Sequence, residues 1–463
     1  MRGASLLTAV LVLAVGNSYA PAHYETARLV ASDANTDDRF GVSVAIDGDI
    51  AVVGAYHNDA NSPDCGAAYI YELSGSQWIE RQKLVALDAS SGDWFGRSVA
   101  IDGNTIVVGS YYGDNNEPNT GVAYVFTRTG ALWTQQQKLF ATDGASNDRF
   151  GISVSVKDNL IVVGAYRDDE DAGAAYVFIR NGIIWSEQQK LTASDRAKGD
   201  YFGYAAVMNA NTILIGAYKD EHPEGTGSVY VFERQGPTWI EQNVMRASDG
   251  SQYDYFGCSV ALDGNLAVIG AYECDVNGVP DAGAAYVFAK TGSAWLEQQK
   301  LADTIDPNIG EDFGRSVAIA SGSIFAGCVN DSVNGEKTGS VFEFVRTGDT
   351  WVQHDRLTPS EGRLDDEFGA SVFACGQHLI VGASCADDNG ANSGSAYIFA
   401  AMRGDFNGDG SVDFADFTSL AAAWLTADGQ PRWNVACDIS NPPDGVVNLR
   451  DLDVFCDNWL AGK

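Results

Sequence analysis

The chain has 463 residues, with 62 acidic side chains against 29 Lys and Arg, a formal net charge of −33. That length allows more than one domain, and that charge speaks against nucleic acid as a partner and for cation binding or a strongly solvated surface. At 45% hydrophobic, with ten Trp and 51 Gly, the composition is globular and β-rich and excludes an acidic disordered chain.

The first element reads MRGASLLTAVLVLAVGNSYAPAH. One Arg precedes an apolar run from Leu6 to Val15, and small residues follow. This is the pattern of a secretory signal peptide over residues 1–22, cleaved after Ala20 or, because Pro21 disfavours that site, after Ala22. The alternative is a membrane anchor, but the run falls short of the ~20 apolar residues a span needs. No later segment is long enough, so no transmembrane segment is expected after cleavage. Export permits disulfides among the eight Cys (65, 258, 274, 328, 375, 385, 437 and 456), which do not recur at one repeat position.

From residue 23 the chain repeats itself. Phe-Gly stands at Phe40, Phe95, Phe150, Phe202, Phe256, Phe313 and Phe368, at spacings of 55, 55, 52, 54, 57 and 55. A fixed period of this size marks a solenoid, propeller or array. Each unit carries four strand-like pieces, in the first unit FGVSVAI, IAVVGAY, GAAYIYEL and WIERQKL. A tight Asp-Gly turn joins the first two. The second and third pieces are nearly continuous apolar runs, as for strands covered on both faces. The fourth is polar and suits an exposed edge. Four antiparallel strands repeated radially make a β-propeller, with a linear array as the other possibility. The fourth piece carries Trp78, Trp133, Trp185, Trp239, Trp295 or Trp351, whereas the last unit stops after three pieces and HYETARL precedes the first. The expectation is an all-β, seven-bladed propeller over residues 23–401, closed by the N-terminal strand.

The motif DRFGxSVAIDG…VVGAY…GAAYVF resembles the FG-GAP repeat, the unit of the seven-bladed propeller of integrin α chains and of many bacterial secreted proteins. The resemblance implies the propeller fold. Calcium-binding units of that family carry a carboxylate-rich loop between the first two strands. Here that place holds AIDGDIA or SVKDNLI, so propeller calcium is not carried over, nor is the integrin ligand site.

Two carboxylates recur in every unit. Seven residues before Phe stand Asp33, Asp88, Asp143, Asp195, Asp249, Asp306 and Glu361; two before it stand Asp38, Asp93, Asp148, Asp200, Asp254, Glu311 and Asp366. A third Asp follows the second strand, as at Asp59, Asp114, Asp169, Asp275 and Asp387. Each closes a turn by accepting a backbone N–H, or together they form rings of cation sites. Sevenfold recurrence favours the structural role, since an active site would break the symmetry. The five His (23, 57, 222, 354 and 378) are scattered, and no catalytic or phosphate-loop motif appears.

After Ala401 the repeat ends and GDFNGDGSVDFADFTSLAAAWL begins. Calcium loops place oxygen ligands at positions 1, 3, 5, 7, 9 and 12 with Gly at 6. Asp405, Asn407, Asp409, the Ser411 carbonyl, Asp413 and Asp416 fit them, with Gly410 at the turn. The pattern returns 35 residues on. Asp438, Ser440, Asp444, the Val446 carbonyl, Asn448 and Asp451 are the second ligand set, in a loop two residues longer at its start. Apolar residues on one face of each following segment predict two amphipathic helices. Bound metal would stabilise so small a core. Two such loops, each followed by one helix, resemble a type I dockerin over residues 402–463. The resemblance implies two Ca2+ ions and a cohesin-like protein partner. Cys437 and Cys456 either form a disulfide or stay as small buried thiols. The duplication gives two related binding faces, with Phe414, Ala415, Leu449 and Arg450 as candidate partner contacts.

The reading is therefore a secreted or cell-surface, non-catalytic binding and assembly protein. Its propeller would meet a protein or glycan partner, and its tail would dock to a cohesin-like module. The alternative is a dockerin-bearing enzyme or accessory of polysaccharide degradation, because dockerins often ride on glycoside hydrolases.

Overall fold

A computed structural model describes residues 23–220, 225–303, 307–333 and 336–401, together with the single helical residues Phe417 and Leu452. The signal-peptide segment, the calcium-ligand sets from Asp405 to Asp451, the Cys437–Cys456 pair and the contacts Phe414, Ala415, Leu449 and Arg450 lie outside the described residues.

Seven four-stranded antiparallel sheets follow one another. Blade 1 holds Phe40–Asp47, Ile50–Ala55, Ala67–Ser74 and Gln77–Leu84 in spatial order. Blades 2 to 6 repeat this over residues 98–139, 150–191, 202–245, 260–301 and 313–357. Blade 7 takes three strands from residues 368–401 and its fourth from the other end of the chain. His23–Leu29 pairs antiparallel with Ser395–Ala401, His23 opposite Ala401 and Leu29 opposite Ala396. Helix is almost absent among the described residues, with one four-residue turn at Asp168–Asp171.

The alternation of residue types explains the packing. The second and third strands are buried on both faces, as in Ile50–Ala55 and Ala67–Ser74. Each core cluster draws on two adjacent blades: Phe95 packs with Val52, Ile70 and Leu84 of blade 1 as well as with Tyr124 and Phe126 of blade 2. The cluster around Phe40 joins blade 1 to Ile380 and Ile398 of blade 7. No blade buries its apolar faces alone. The glycine after each Phe is required by backbone contact. Gly96 has φ 94°, and a Cβ there would lie 2.2 Å from the Ala67 carbonyl oxygen of the preceding blade.

Hydrogen bonds run from blade to blade around the axis. Ser43 Oγ donates to the Gly96 carbonyl at 2.8 Å, Ser98 to Gly151 at 2.9 Å and Ser153 to Gly203 at 2.9 Å. Ser371 donates to Gly41 at 2.8 Å, across the seam between blades 7 and 1. Blade 4 has Ala205 at this position. On the outside, Gln82 brackets the backbone of Trp133 with both ends of its amide, at 2.7 and 2.9 Å. The outer strands are polar because they make such stitches while facing water.

Candidate functional site at the channel mouth

The recurring carboxylates have structural partners. Asp38 Oδ2 accepts the Asn35 N–H at 2.8 Å, and Asp93, Asp148, Asp200, Asp254 and Asp366 accept the corresponding N–H at 2.5–2.7 Å. Burial outweighs these bonds and raises the Asp38, Asp93, Asp254 and Asp366 carboxyls above their ordinary value. Asp148 is pushed up to about 6 by the same cause. The earlier carboxylate straps two strands: Asp33 accepts from Tyr69 Oη and Lys83 Nζ, both at 2.6 Å. Burial opposes ionisation of Asp33, but the Lys83 ammonium and the Tyr69 hydroxyl overcome it and hold the carboxyl below its usual value. Asp88 and Lys138, Asp143 and Lys190, and Asp249 and Lys300 repeat the strap. Asp59, Asp114, Asp275 and Asp387 each cap a loop N–H, at 2.6–3.1 Å. No group of three or more His, Cys, Asp or Glu among the described residues is arranged to hold a metal ion. The six described cysteines are free thiols.

The sevenfold pattern breaks elsewhere. A cavity of about 650 Å3 is lined by the first strands of all seven blades, including Ser43, Ser98, Ser153, Ala205, Ser259, Ser316 and Ser371. Arg39, Asp312 and Glu367 of the D-x-F-G loops also line it, which puts those loops at one end. The residue just before each Phe has a left-handed backbone, with φ between 57° and 64° in every blade. Such a conformation strains bulky side chains. Yet the residues held there are Arg39, Trp94, Arg149, Tyr201, Tyr255, Asp312 and Glu367. The residue after the Phe-Gly pair also varies, with Arg97, Tyr204, Cys258 and Arg315 on the channel wall.

These positions meet the aromatic residue that follows the second strand: Tyr56, Tyr111, Tyr166, Tyr218 and Tyr272 in blades 1 to 5, but Val329 and Ser384 in blades 6 and 7. Trp94 packs on Tyr56 at 5.1 Å, on His57 at 4.9 Å and on Tyr112 at 4.3 Å. Tyr166 touches Tyr201 at 5.5 Å and Tyr204 at 5.7 Å. Tyr218 joins Tyr204 at 4.4 Å to Tyr255 at 5.5 Å, and Tyr255 stacks on Tyr272 at 5.3 Å. Lys219 lies over Tyr201 and Arg315 over Tyr272, each at 4.9 Å. Most of these rings are half-buried, so they keep faces available to a ligand. Burial raises the phenols of Tyr111, Tyr218 and Tyr272, which stay neutral donors. It also lowers the His57 pKa, keeping that ring neutral near pH 7. The mouth is thus aromatic and basic over blades 1 to 5, and carries Asp312 and Glu367 on blades 6 and 7.

Sequence reasoning missed this rim. The signal was present as the one variable letter inside the otherwise constant D-x-F-G, which the repeat count passes over.

The FG-GAP repeat family matches residues 24–71, 78–126, 133–178, 185–232, 239–288 and 351–399. Human integrin alpha-11 is 36% identical over 129 residues, covering 24% of this chain and 11% of that protein. Bovine integrin alpha-2 is 25% identical over 201 residues, covering 38% of this chain and 16% of its own length. The similarity therefore spans a small part of either relative. A crystal structure of Saccharomyces cerevisiae Sqt1 aligns over 83% of this chain and 99% of its own at 9% identity, with a TM-score of 0.42.

Proposed function

The chain belongs to the FG-GAP repeat family, and from that premise we propose that it is an exported, non-catalytic binding and assembly protein. The channel mouth engages a protein ligand, and residues 402–463 dock in a calcium-dependent way to a cohesin-like module. One observation carries the first half: an aromatic belt spans five of the seven blades at one end of the channel. Half-buried aromatic side chains flanked by Arg are the composition of interface hot spots.

The second half rests on donor chemistry. Asp405, Asn407, Asp409, the Ser411 carbonyl, Asp413 and Asp416 supply six oxygens at the spacing a hard cation wants, and Asp438, Ser440, Asp444, the Val446 carbonyl, Asn448 and Asp451 supply a second set. Calcium would hold these loops, and Phe414, Ala415, Leu449 and Arg450 would meet the partner. The apolar stretch from Leu6 to Val15 supports export, and no helix among the described residues is long and apolar enough to cross a membrane. The pairing of His23–Leu29 with Ser395–Ala401 supports a ring closed by the N-terminal strand.

The test is capture of partners by the full chain from secreted and envelope proteins of the source organism, with calcium and then with a chelator. A docking partner leaves with the chelator. A mouth ligand survives the chelator and is lost with Trp94→Ala or Tyr218→Ala. Capture indifferent to both treatments sinks the proposal.

A further inference from the structure

Three guanidiniums at the mouth make no ion pair with a carboxylate among the described residues, unlike the strap lysines Lys83, Lys138, Lys190 and Lys300. Arg39 and Arg149 occupy the same repeat position, before Phe, in blades 1 and 3, and Arg97 lies on the channel wall of blade 2. The Arg97 guanidinium lines the cavity and makes no hydrogen bond or ion pair among the described residues. Arg149 is only 7% exposed, yet its Nε and Nη1 are buried without a hydrogen-bond partner. Its Nη2 makes one long approach, 3.5 Å, to Asn147 Oδ1, and its plane lies 3.6 Å from the centre of the Tyr112 ring. Arg39 Nε is likewise buried and unpartnered, and its Nη1 meets the Cys385 thiol.

Burial pulls the Arg149 pKa down, and what opposes it is the phenols of Tyr112, Tyr166 and Tyr111 rather than a carboxylate. The Arg149 guanidinium also lies 5.9 Å from the centre of the Tyr111 ring, whose phenol feels the Arg97 charge as well. Beside Arg39, on blade 7, Glu367 is engaged with Ser384 at 3.4 Å and with the Cys385 thiol that meets Arg39 Nη1. A buried cation without a counter-charge is costly. The strap cations avoid that cost: Lys190 has Asp143 and Asp168, Lys83 has Asp33, and Arg356 has Asp331. Arg97 and Arg149 have no such carboxylate among the described residues, and a carboxylate brought from outside completes them. Guanidinium pairs with carboxylate through parallel N–H···O bonds, and a stacked, preset arginine loses little freedom in forming them.

We propose that Arg97 and Arg149, flanked by Arg39, form a carboxylate-binding site at the channel mouth, and that the protein ligand there presents an isolated Asp or Glu side chain to it. This rests on the reading of the mouth as a ligand-binding face. The net charge of −33 and the acids Asp312 and Glu367 on the same rim disfavour a long polyanion. A single carboxylate between neutral or basic neighbours avoids that repulsion.

The test uses the immobilised full chain and two synthetic peptide libraries with randomised uncharged flanks, one around a central Asp and one around a central Asn. The Asp library should be retained at least about tenfold better, a difference that marks a charge-assisted pair. Arg97→Gln should abolish the preference. Arg149→Gln should do the same provided it melts as wild type; if it does not fold, Arg97→Gln decides. Lys157→Gln, at the other end of its strand, should leave the preference intact. Equal retention of both libraries, or a preference that survives Arg97→Gln, overturns the site. Retention of galacturonate oligomers with the same Arg97 dependence, but no peptide preference, overturns the choice of a protein ligand. A failed site with intact Trp94-dependent capture leaves the mouth as the binding face; loss of both removes the broader reading as well.

Discussion

Glu25 accepts hydrogen bonds from both the backbone N–H and the hydroxyl of Ser360, 335 residues further along the chain, at 2.9 and 2.8 Å. The same carboxylate-to-serine clamp joins Glu80 to Ser32, Glu241 to Ser194 and Glu297 to Ser248. The N-terminal strand thus occupies an outer-strand position with the contacts that position makes in other blades. Glu25→Ala should lower stability by about 1 kcal/mol and Ser360→Ala, which keeps the backbone N–H bond, by about half as much; the double variant should cost little more than Glu25→Ala alone, because Glu25→Ala already removes both bonds. Thermal denaturation of the four proteins checks this, and full additivity would count against the clamp.

Asp143 and Asp148 lie five residues apart and should respond to pH with opposite sign. The folded-state pKa of Asp143 is lowered, because Lys190 and Tyr176 outweigh its burial. It contributes stability above the unfolded carboxylate pKa near 4, lost as pH falls through the folded value. The Asp148 carboxyl is raised to about 6 by burial, so its contribution is full below about 4 and is lost as pH rises through 6. At pH 7, Asp143→Asn should therefore cost about 1 kcal/mol. Asp148→Asn should be neutral or stabilising by up to about 1 kcal/mol, both figures being reduced by solvent screening. Melting curves from about pH 2 to 7.5 separate the two.

Gly96→Ala should be among the most damaging single changes. The residue has φ 94°, and the new Cβ would collide with the Ala67 carbonyl oxygen at 2.2 Å. A cost of about 3 kcal/mol or more is expected from strain plus a blade displaced from its neighbour. Gly75→Ala, at a hairpin tip with φ 65° and nothing within 4 Å, should cost about 1 kcal/mol. Denaturant unfolding of both variants ranks them.

Function and stability should separate at the left-handed rim position. Trp94 sits at φ 59°, a conformation glycine adopts freely. Trp94→Gly trades lost ring contacts for relieved strain and should stay within about 1 kcal/mol of wild type. Ligand capture should fall tenfold or more. Phe95→Ala, one residue on and fully buried, should cost about 3–5 kcal/mol.

Calcium removal should act locally. A chelator should unfold residues 402–463 and abolish docking, while the melting transition of the propeller stays unchanged, since its carboxylates are already bonded to lysines, tyrosines and backbone amides. Two calorimetric transitions, of which calcium moves one, are the expected result.

The strands were legible because their signals are local and repeated. FGVSVAI, IAVVGAY, GAAYIYEL and WIERQKL fall on the four strands of blade 1 to within a residue at most ends. The Phe-Gly pair set the period, and the kinship of HYETARL with WIERQKL pointed to the pairing of His23–Leu29 with blade 7. Sevenfold recurrence weighed the carboxylates towards turn closure, which Asp38 and Asp93 show, whereas the straps from Asp33 and Asp88 to lysine and tyrosine were not legible in it. The rim was not legible for the converse reason. Arg39, Trp94, Arg149 and Tyr201 share a backbone conformation and not a side-chain chemistry, and only the ring brings residues about 50 positions apart to one opening. Nothing in the local sequence marks Arg149 as a cation without a counter-charge either, because that depends on which carboxylates the other blades hold away from it.

The pairing of His23 with Ala401 has a mechanical consequence. The two strands run antiparallel with these residues opposite each other at one end. Tension applied between them loads their hydrogen bonds one pair at a time, as in opening a zipper, instead of all together in shear. An attachment through either end alone leaves that ladder unloaded, whereas simultaneous pulling on both would peel away the outer strand of blade 7 at low force, long before the other six blades yield.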